Sequence, residues 1–162
     1  MMIRKMAGMV LLAGTMLAGT AQAEQVGGLY LGITGGVDRI DVAGVDDADM
    51  YGVVGGLRFG SGLSVEAAFG KSDTDTGGGC TVDIDTLGLY GAFRSSGNVY
   101  FKGRVGLLHE KLSDDCGSSL KDTGLSLGAG AGVRFGGVAV EAEYTIIEQD
   151  IDRLSLTFLY NF

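Results

Sequence analysis

The last ten residues, Arg153-Leu154-Ser155-Leu156-Thr157-Phe158-Leu159-Tyr160-Asn161-Phe162, place a large apolar side chain at every second position. Successive side chains of a strand point to opposite faces, so Leu154, Leu156, Phe158, Tyr160 and Phe162 share one face. Arg153, Ser155, Thr157, Leu159 and Asn161 share the other. Chain ends usually fray into water, which makes an aromatic face carried to the last residue costly in an aqueous setting. A strand whose outer face meets lipid removes that cost.

The other end of the sequence points the same way. Arg4 and Lys5 precede an uncharged apolar run from Met9 to Gly19, and Ala21-Gln22-Ala23 has the form of an A-x-A cleavage site. The run is shorter than the ~20 residues a membrane helix needs. Residues 1–23 are therefore expected to be a cleaved secretory signal, and residues 24–162 a single domain. Without Arg4 and Lys5, the 12 basic residues fall to 10 against 20 acidic ones. So acidic a surface is a poor partner for nucleic acid. Proline, which cannot donate to a strand ladder, is absent from the sequence.

Parity resolves eight strands. Their apolar faces carry, in order, Leu29, Leu31 and Ile33; Tyr51, Val53 and Leu57; Leu63, Val65 and Phe69; Leu87, Leu89 and Phe93; Val99, Phe101 and Leu107; Leu125, Leu127 and Val133; Val138, Val140 and Tyr144; then the closing series. The opposite faces are small or charged. A sandwich would bury its apolar face and wet the polar one. A membrane barrel does the reverse. The signal and the terminal series favour the barrel.

Connections alternate in length. Gly60-Ser61-Gly62, Ser95-Ser96-Gly97 and Gly136-Gly137 read as tight hairpin turns. Ile40 to Ala48, Ser72 to Thr81 and Leu112 to Leu120 read as longer polar loops, with a short connection around Gln149 to Ile151. Barrels of this kind keep short turns in the periplasm and longer loops outside, which puts both termini in the periplasm. Gly56 to Ala67 and Gly132 to Ala142 are echoes of one hairpin. Their parity pairs Gly56 with Glu66 and Gly132 with Glu141 on the inner face.

The signal, the Arg58-Phe59-Gly60 and Arg134-Phe135-Gly136 turn ends, the Glu-bearing returning strands and the closing Leu-x-Leu-x-Phe-x-Tyr-x-Phe series together resemble the small eight-stranded outer-membrane barrels of the OmpA-barrel, OmpX and opacity-protein type. That resemblance covers the mature chain. It implies an all-β, antiparallel, up-and-down transmembrane barrel in the outer membrane of a Gram-negative cell, surrounded by phospholipid and lipopolysaccharide. The terminal Leu154, Leu156, Phe158, Tyr160 and Phe162 then look like the signal read by the barrel-assembly machinery. The family includes structural proteins, adhesins, small channels and occasional lipid enzymes, so membership names no single activity.

Side-chain chemistry narrows the choice. Arg58, Glu66, Arg94, Lys102, Arg104, Arg134, Glu141 and Glu143 all fall on the inward parity. Charges inside a narrow barrel are tolerable only when mutually paired, so these residues are expected to form a plug. The alternative is a gated path for small ions, with Lys102 and Arg104 exchanging carboxylate partners. Glu141 and Glu143 have no evident cleft for acid–base work, and no catalytic, cofactor or metal site is expected. A lipid A-modifying enzyme is the least supported alternative: His109 is followed by Glu110 and Lys111, not by the His-x-Ser pairing of such barrels. Cys80 and Cys116, in the second and third loops of an exported chain, are expected to form a disulfide. Most of the 20 acidic residues fall in the exterior segments, between Asp38 and Asp49, Asp73 and Asp85, Glu110 and Asp122, and Glu148 and Asp152. Asp73-Thr74-Asp75-Thr76-Gly77 begins like a calcium loop but lacks its closing Glu. The leading expectation is a non-enzymatic surface protein whose acidic loops are available to a host or phage surface.

Overall fold

A computed structural model describes residues 26–40, 47–76, 80–114, 119–148 and 151–162. Alternating side chains and glycine-rich turns produce eight strands: β1 (Val26–Ile40), β2 (Ala48–Phe59), β3 (Leu63–Thr76), β4 (Cys80–Arg94), β5 (Val99–Asp114), β6 (Ser119–Phe135), β7 (Val138–Glu148) and β8 (Ile151–Asn161). Each pairs antiparallel with its sequence neighbours, and β1 closes on β8 from Tyr30 opposite Asn161 to Ile40 opposite Ile151. Closure removes the exposed sheet edge that an open meander would present. It is reinforced at the chain end, where the Phe162 N–H donates to the Leu29 carbonyl at 2.9 Å.

The parity expectation holds in every strand. Leu29, Leu31, Ile33, Leu89, Phe101, Leu154, Leu156, Phe158, Tyr160 and Phe162 are exposed outward, while Tyr30, Tyr90, Tyr100 and Leu159 are buried in the lumen. The echoed hairpins keep the expected register, with Gly56 opposite Glu66 and Gly132 opposite Glu141. Of the turn glycines, Gly62, Gly97 and Gly136 have positive φ, a region open to residues without a Cβ.

One expectation changes. The second and third long loops are mostly strand: β3 and β4 pair as far as Thr76 opposite Cys80, and β5 and β6 as far as Ser113 opposite Ser119. Polar segments were read as loops, yet Thr, Val and Ser there sustain a ladder as well as apolar residues do. Asp38 and Arg153, both of inward parity near the exterior end, are buried in the lumen. Asp152 accepts a hydrogen bond from Tyr144. The proposed signal at residues 1–23 and Cys116 lie outside the described residues, as does the Cys80 side chain.

The exterior rim is uneven. β6 pairs with β7 only from Leu127, opposite Ile146, onward. From Ser119 to Ser126 its described ladder is with β5 alone. On that open side the Thr123 N–H is taken by the neighbouring Asp122 carboxylate at 2.7 Å.

Candidate functional site

The lumen is filled from facing strands by large side chains set against glycines. Glu66 on β3 faces Gly56 on β2; on β6, Gly128, Gly130 and Gly132 face Arg104, Lys102 and Tyr100 of β5. On their other side the same three glycines face Thr145, Glu143 and Glu141 of β7. The missing side chains leave the volume that the long ones occupy. A Cβ on Gly132 would stand 2.5 Å from Tyr100 Cζ.

Arg94 sits at the centre. Its Nη2 donates to Glu66 Oε1 at 2.6 Å, its Nε to Glu141 Oε1 at 2.6 Å, and its Nη1 to Ser64 Oγ at 3.0 Å and Tyr30 Oη at 3.2 Å. Lys102 Nζ reaches three carboxylates: Glu143 at 2.9 Å, Glu141 at 3.1 Å and Glu66 at 3.3 Å. Arg104 Nη2 pairs with Glu143 Oε1 at 2.6 Å, and Thr145 Oγ1 donates to the same oxygen at 2.8 Å. Tyr30 Oη donates to Glu66 at 2.9 Å and Tyr100 Oη to Glu141 at 2.7 Å. Three cations thus meet three carboxylates, and the exposure of Glu66, Arg94, Lys102, Glu141 and Glu143 runs only from 0% to 6%. Taking such charges out of water is costly. Ion pairs to every carboxylate and shared hydrogen bonds to the Oε1 atoms of Glu66, Glu141 and Glu143 offset the cost, and losing one member exposes it.

Arg58 and Arg134 were expected in this network and are not part of it. They stack on the tyrosine rings that bound it: Arg58 Cζ lies 5.3 Å from the Tyr30 centroid and Arg134 Cζ 4.8 Å from that of Tyr100. Neither makes an ion pair among the described residues.

A second ionic layer lies toward the opposite end. Arg153 Nε and Nη2 bind Asp38 Oδ1 and Oδ2 at 2.6 and 2.9 Å, and Ser72 Oγ donates to Asp38 Oδ2 at 2.7 Å. This pair was not foreseen. The signal for it was present, because Asp38 and Arg153 both hold inward parity and face each other across β1 and β8. Tyr90, Leu108 and Ile147 form an apolar cluster inside the same barrel. Between the ionic layers a cavity of about 30 Å³ is bordered by Lys102, Arg104, Glu143, Arg153 and Thr157. That is room for one or two waters. On the outer wall His109 Nδ1 lies 2.8 Å from Thr123 Oγ1.

A closed eight-stranded barrel with an apolar exterior and an ionic interior inverts the soluble arrangement, and the comparisons agree with it. The outer membrane protein beta-barrel domain matches residues 9–162. The chain belongs to this outer-membrane β-barrel family. No curated protein matches the chain. Among solved structures, neisserial surface protein A aligns with a TM-score of 0.65 at 16% identity, covering 86% of this chain and 100% of that one. The N-terminal barrel of Pseudomonas aeruginosa OprF gives 0.61 at 16% identity, covering 82% and 97%. Ail, the attachment invasion locus protein of Yersinia pestis, gives 0.56 at 17% identity, covering 83% and 97%. At these identities the likeness establishes the fold. Family membership makes this barrel an outer-membrane protein.

Proposed function

We propose that this outer-membrane barrel is a non-enzymatic structural and surface protein with a closed lumen. The carrying observation is the mutual pairing of Glu66, Arg94, Lys102 and Glu141 inside the wall, where little solvent reaches them. In this reading the termini and tight turns are periplasmic, as the secretory signal requires, and the acidic connections face outward. Leu154, Leu156, Phe158, Tyr160 and Phe162 serve the assembly machinery and then meet lipid and lipopolysaccharide. Cys80 and Cys116 form a bridge that ties two exterior connections. The β4–β5 ladder supports this pairing, since it ends at Val82 opposite Asp114, two residues from each cysteine. A gel shift on reduction, with no free thiol alkylated in native protein, is the expected result for the bridge. Contact of the exterior with a host or phage surface is in keeping with the word attachment in the name of Ail, the attachment invasion locus protein. The purified protein in planar bilayers should give no channel events, and reproducible unitary currents would overturn the closed-lumen reading.

One observation favours the alternative of a narrow ion path. Lys102 lies within 3.3 Å of three carboxylates and can change partner without ever being unpaired. In that case Lys102→Ala alters conductance relative to the parent.

A further inference from the structure

The charge balance of the lumen fails at one end. In the half nearest the tight turns, five described cations face inward, Arg58, Arg94, Lys102, Arg104 and Arg134, against three carboxylates, Glu66, Glu141 and Glu143. Arg94, Lys102 and Arg104 take up all three carboxylates. Arg58 and Arg134 are left with rings beneath them and no ion pair among the described residues. Arg58 also lies close enough to Arg94 and Arg134 to be repelled by both. Its Nε and Nη2, and Nε of Arg134, are shielded from solvent and donate to nothing in the protein.

Each of these features costs free energy alone. Shielded donors lose their water hydrogen bonds, and like charges repel. An anion at the mouth corrects both faults together. Guanidinium groups present paired N–H donors that match the oxygens of phosphate or carboxylate, geometry a spherical halide cannot use. Tyrosine rings fix the two forks in place, and no acceptor of the protein occupies the Nε–H donors of either. We propose that the tight-turn mouth of the barrel is a binding site for a phosphate-type oxyanion, held by Arg58 and Arg134. The group can arrive free from the aqueous phase or as the headgroup phosphate of a phospholipid at the same interface. The site is independent of whether the lumen conducts.

The full barrel, folded in maltoside micelles in phosphate-free buffer, allows a direct test by NMR of arginine Nε–H resonances. Inorganic phosphate is titrated in at ionic strength held constant with chloride. The expected result is a saturable shift of Arg58 and Arg134 with Arg94 unmoved. Arg58→Gln and Arg134→Gln should each weaken binding roughly tenfold, the loss of one strong charge-assisted contact. Because neither residue holds an ion pair, the double variant should still fold, but its melting temperature should no longer rise with phosphate. A short-chain phosphatidylglycerol, kept below its micelle concentration, separates the sources. Saturation of the same resonances at lower concentration than phosphate assigns the site to lipid headgroups, and weaker binding assigns it to free oxyanions. Absence of a saturable shift, an equal shift with chloride alone, or unchanged binding in the double variant would overturn the site.

Discussion

Arg94 shows how much of a barrel interior can hang on one side chain. It touches Glu66, Glu141, Ser64 and Tyr30, residues from three other strands. Replacing it with methionine keeps bulk and removes charge, leaving Glu66 and Glu141 to share Lys102. The expected cost is roughly 3–5 kcal/mol, the usual penalty for breaking a buried pair from one side. Urea titration of the refolded barrel measures it, and Glu141→Gln in the same background should recover part of the loss. A loss below about 1 kcal/mol would mean that solvent or relaxation already screens the site. Glycines give a sharper contrast. Gly132→Ala forces a methyl group against the Tyr100 ring and should cost about 1–3 kcal/mol, whereas an added Cβ at Gly103 meets nothing within 4 Å and should be tolerated. At this scale the sequence was readable through parity. Which residues face inward followed from alternation, so Glu66, Arg94, Lys102 and Glu141 could be grouped before any contact was known. Alternation does not choose among partners at similar reach. Arg58 and Arg134 therefore could not be separated from the network, and the tyrosine hydroxyls that complete it stayed unnoticed. Parity puts Asp38 and Arg153 inside, but their pairing depends on the closing register of β1 on β8, which alternation does not supply.

Strands were recognised where they cross the bilayer and underestimated beyond it. Within the membrane an apolar face marks each strand. Above it both faces are polar, and β3 to β6 continue through residues such as Lys71 and Asp85, paired across strands at 3.2 Å. Composition alone makes that stretch look like loop, although the ladder needs only backbone donors and acceptors. The extension leaves one side of β6 open from Ser119 to Ser126, and an open strand invites pairing with another chain. Asp122 counters this by occupying the Thr123 N–H, and Lys121 sets an exposed charge on the same edge. The double variant Lys121→Val/Asp122→Val should remove both safeguards. Sedimentation velocity in detergent is expected to show concentration-dependent oligomers absent from the parent. A variant that remained monomeric across the accessible range would show that the edge is protected by other means.

At the scale of the whole molecule, the proposed closure has two seals. One seal is the Arg94 and Lys102 network; the other is Arg153 with Asp38 and Ser72, and Tyr90, Leu108 and Ile147 add an apolar cluster to the same interior. Eight strands make an interior that side chains can just fill, so neither seal needs a loop or a helix to complete it. Opening a path therefore requires more than loosening one ion pair. Lys102→Ala alone leaves Arg153 bonded through two nitrogens to Asp38 and should stay silent in planar bilayers. Arg153→Ala alone leaves the three carboxylates held by Arg94, Lys102 and Arg104 and should be silent too. Lys102→Ala/Arg153→Ala removes a long side chain from each layer on either side of the existing cavity, and there a small cation leak is expected. Cations are favoured because the two substitutions remove two positive charges, leaving Glu143 with Arg104 alone and Asp38 with no ion pair among the described residues, which draws positive ions into a narrow lumen. If Lys102→Ala conducts by itself, the second layer is not a barrier and Lys102 is the gate. If the double variant is silent while still folded, closure resides in the apolar cluster, and Leu108 and Ile147 become the residues to change next.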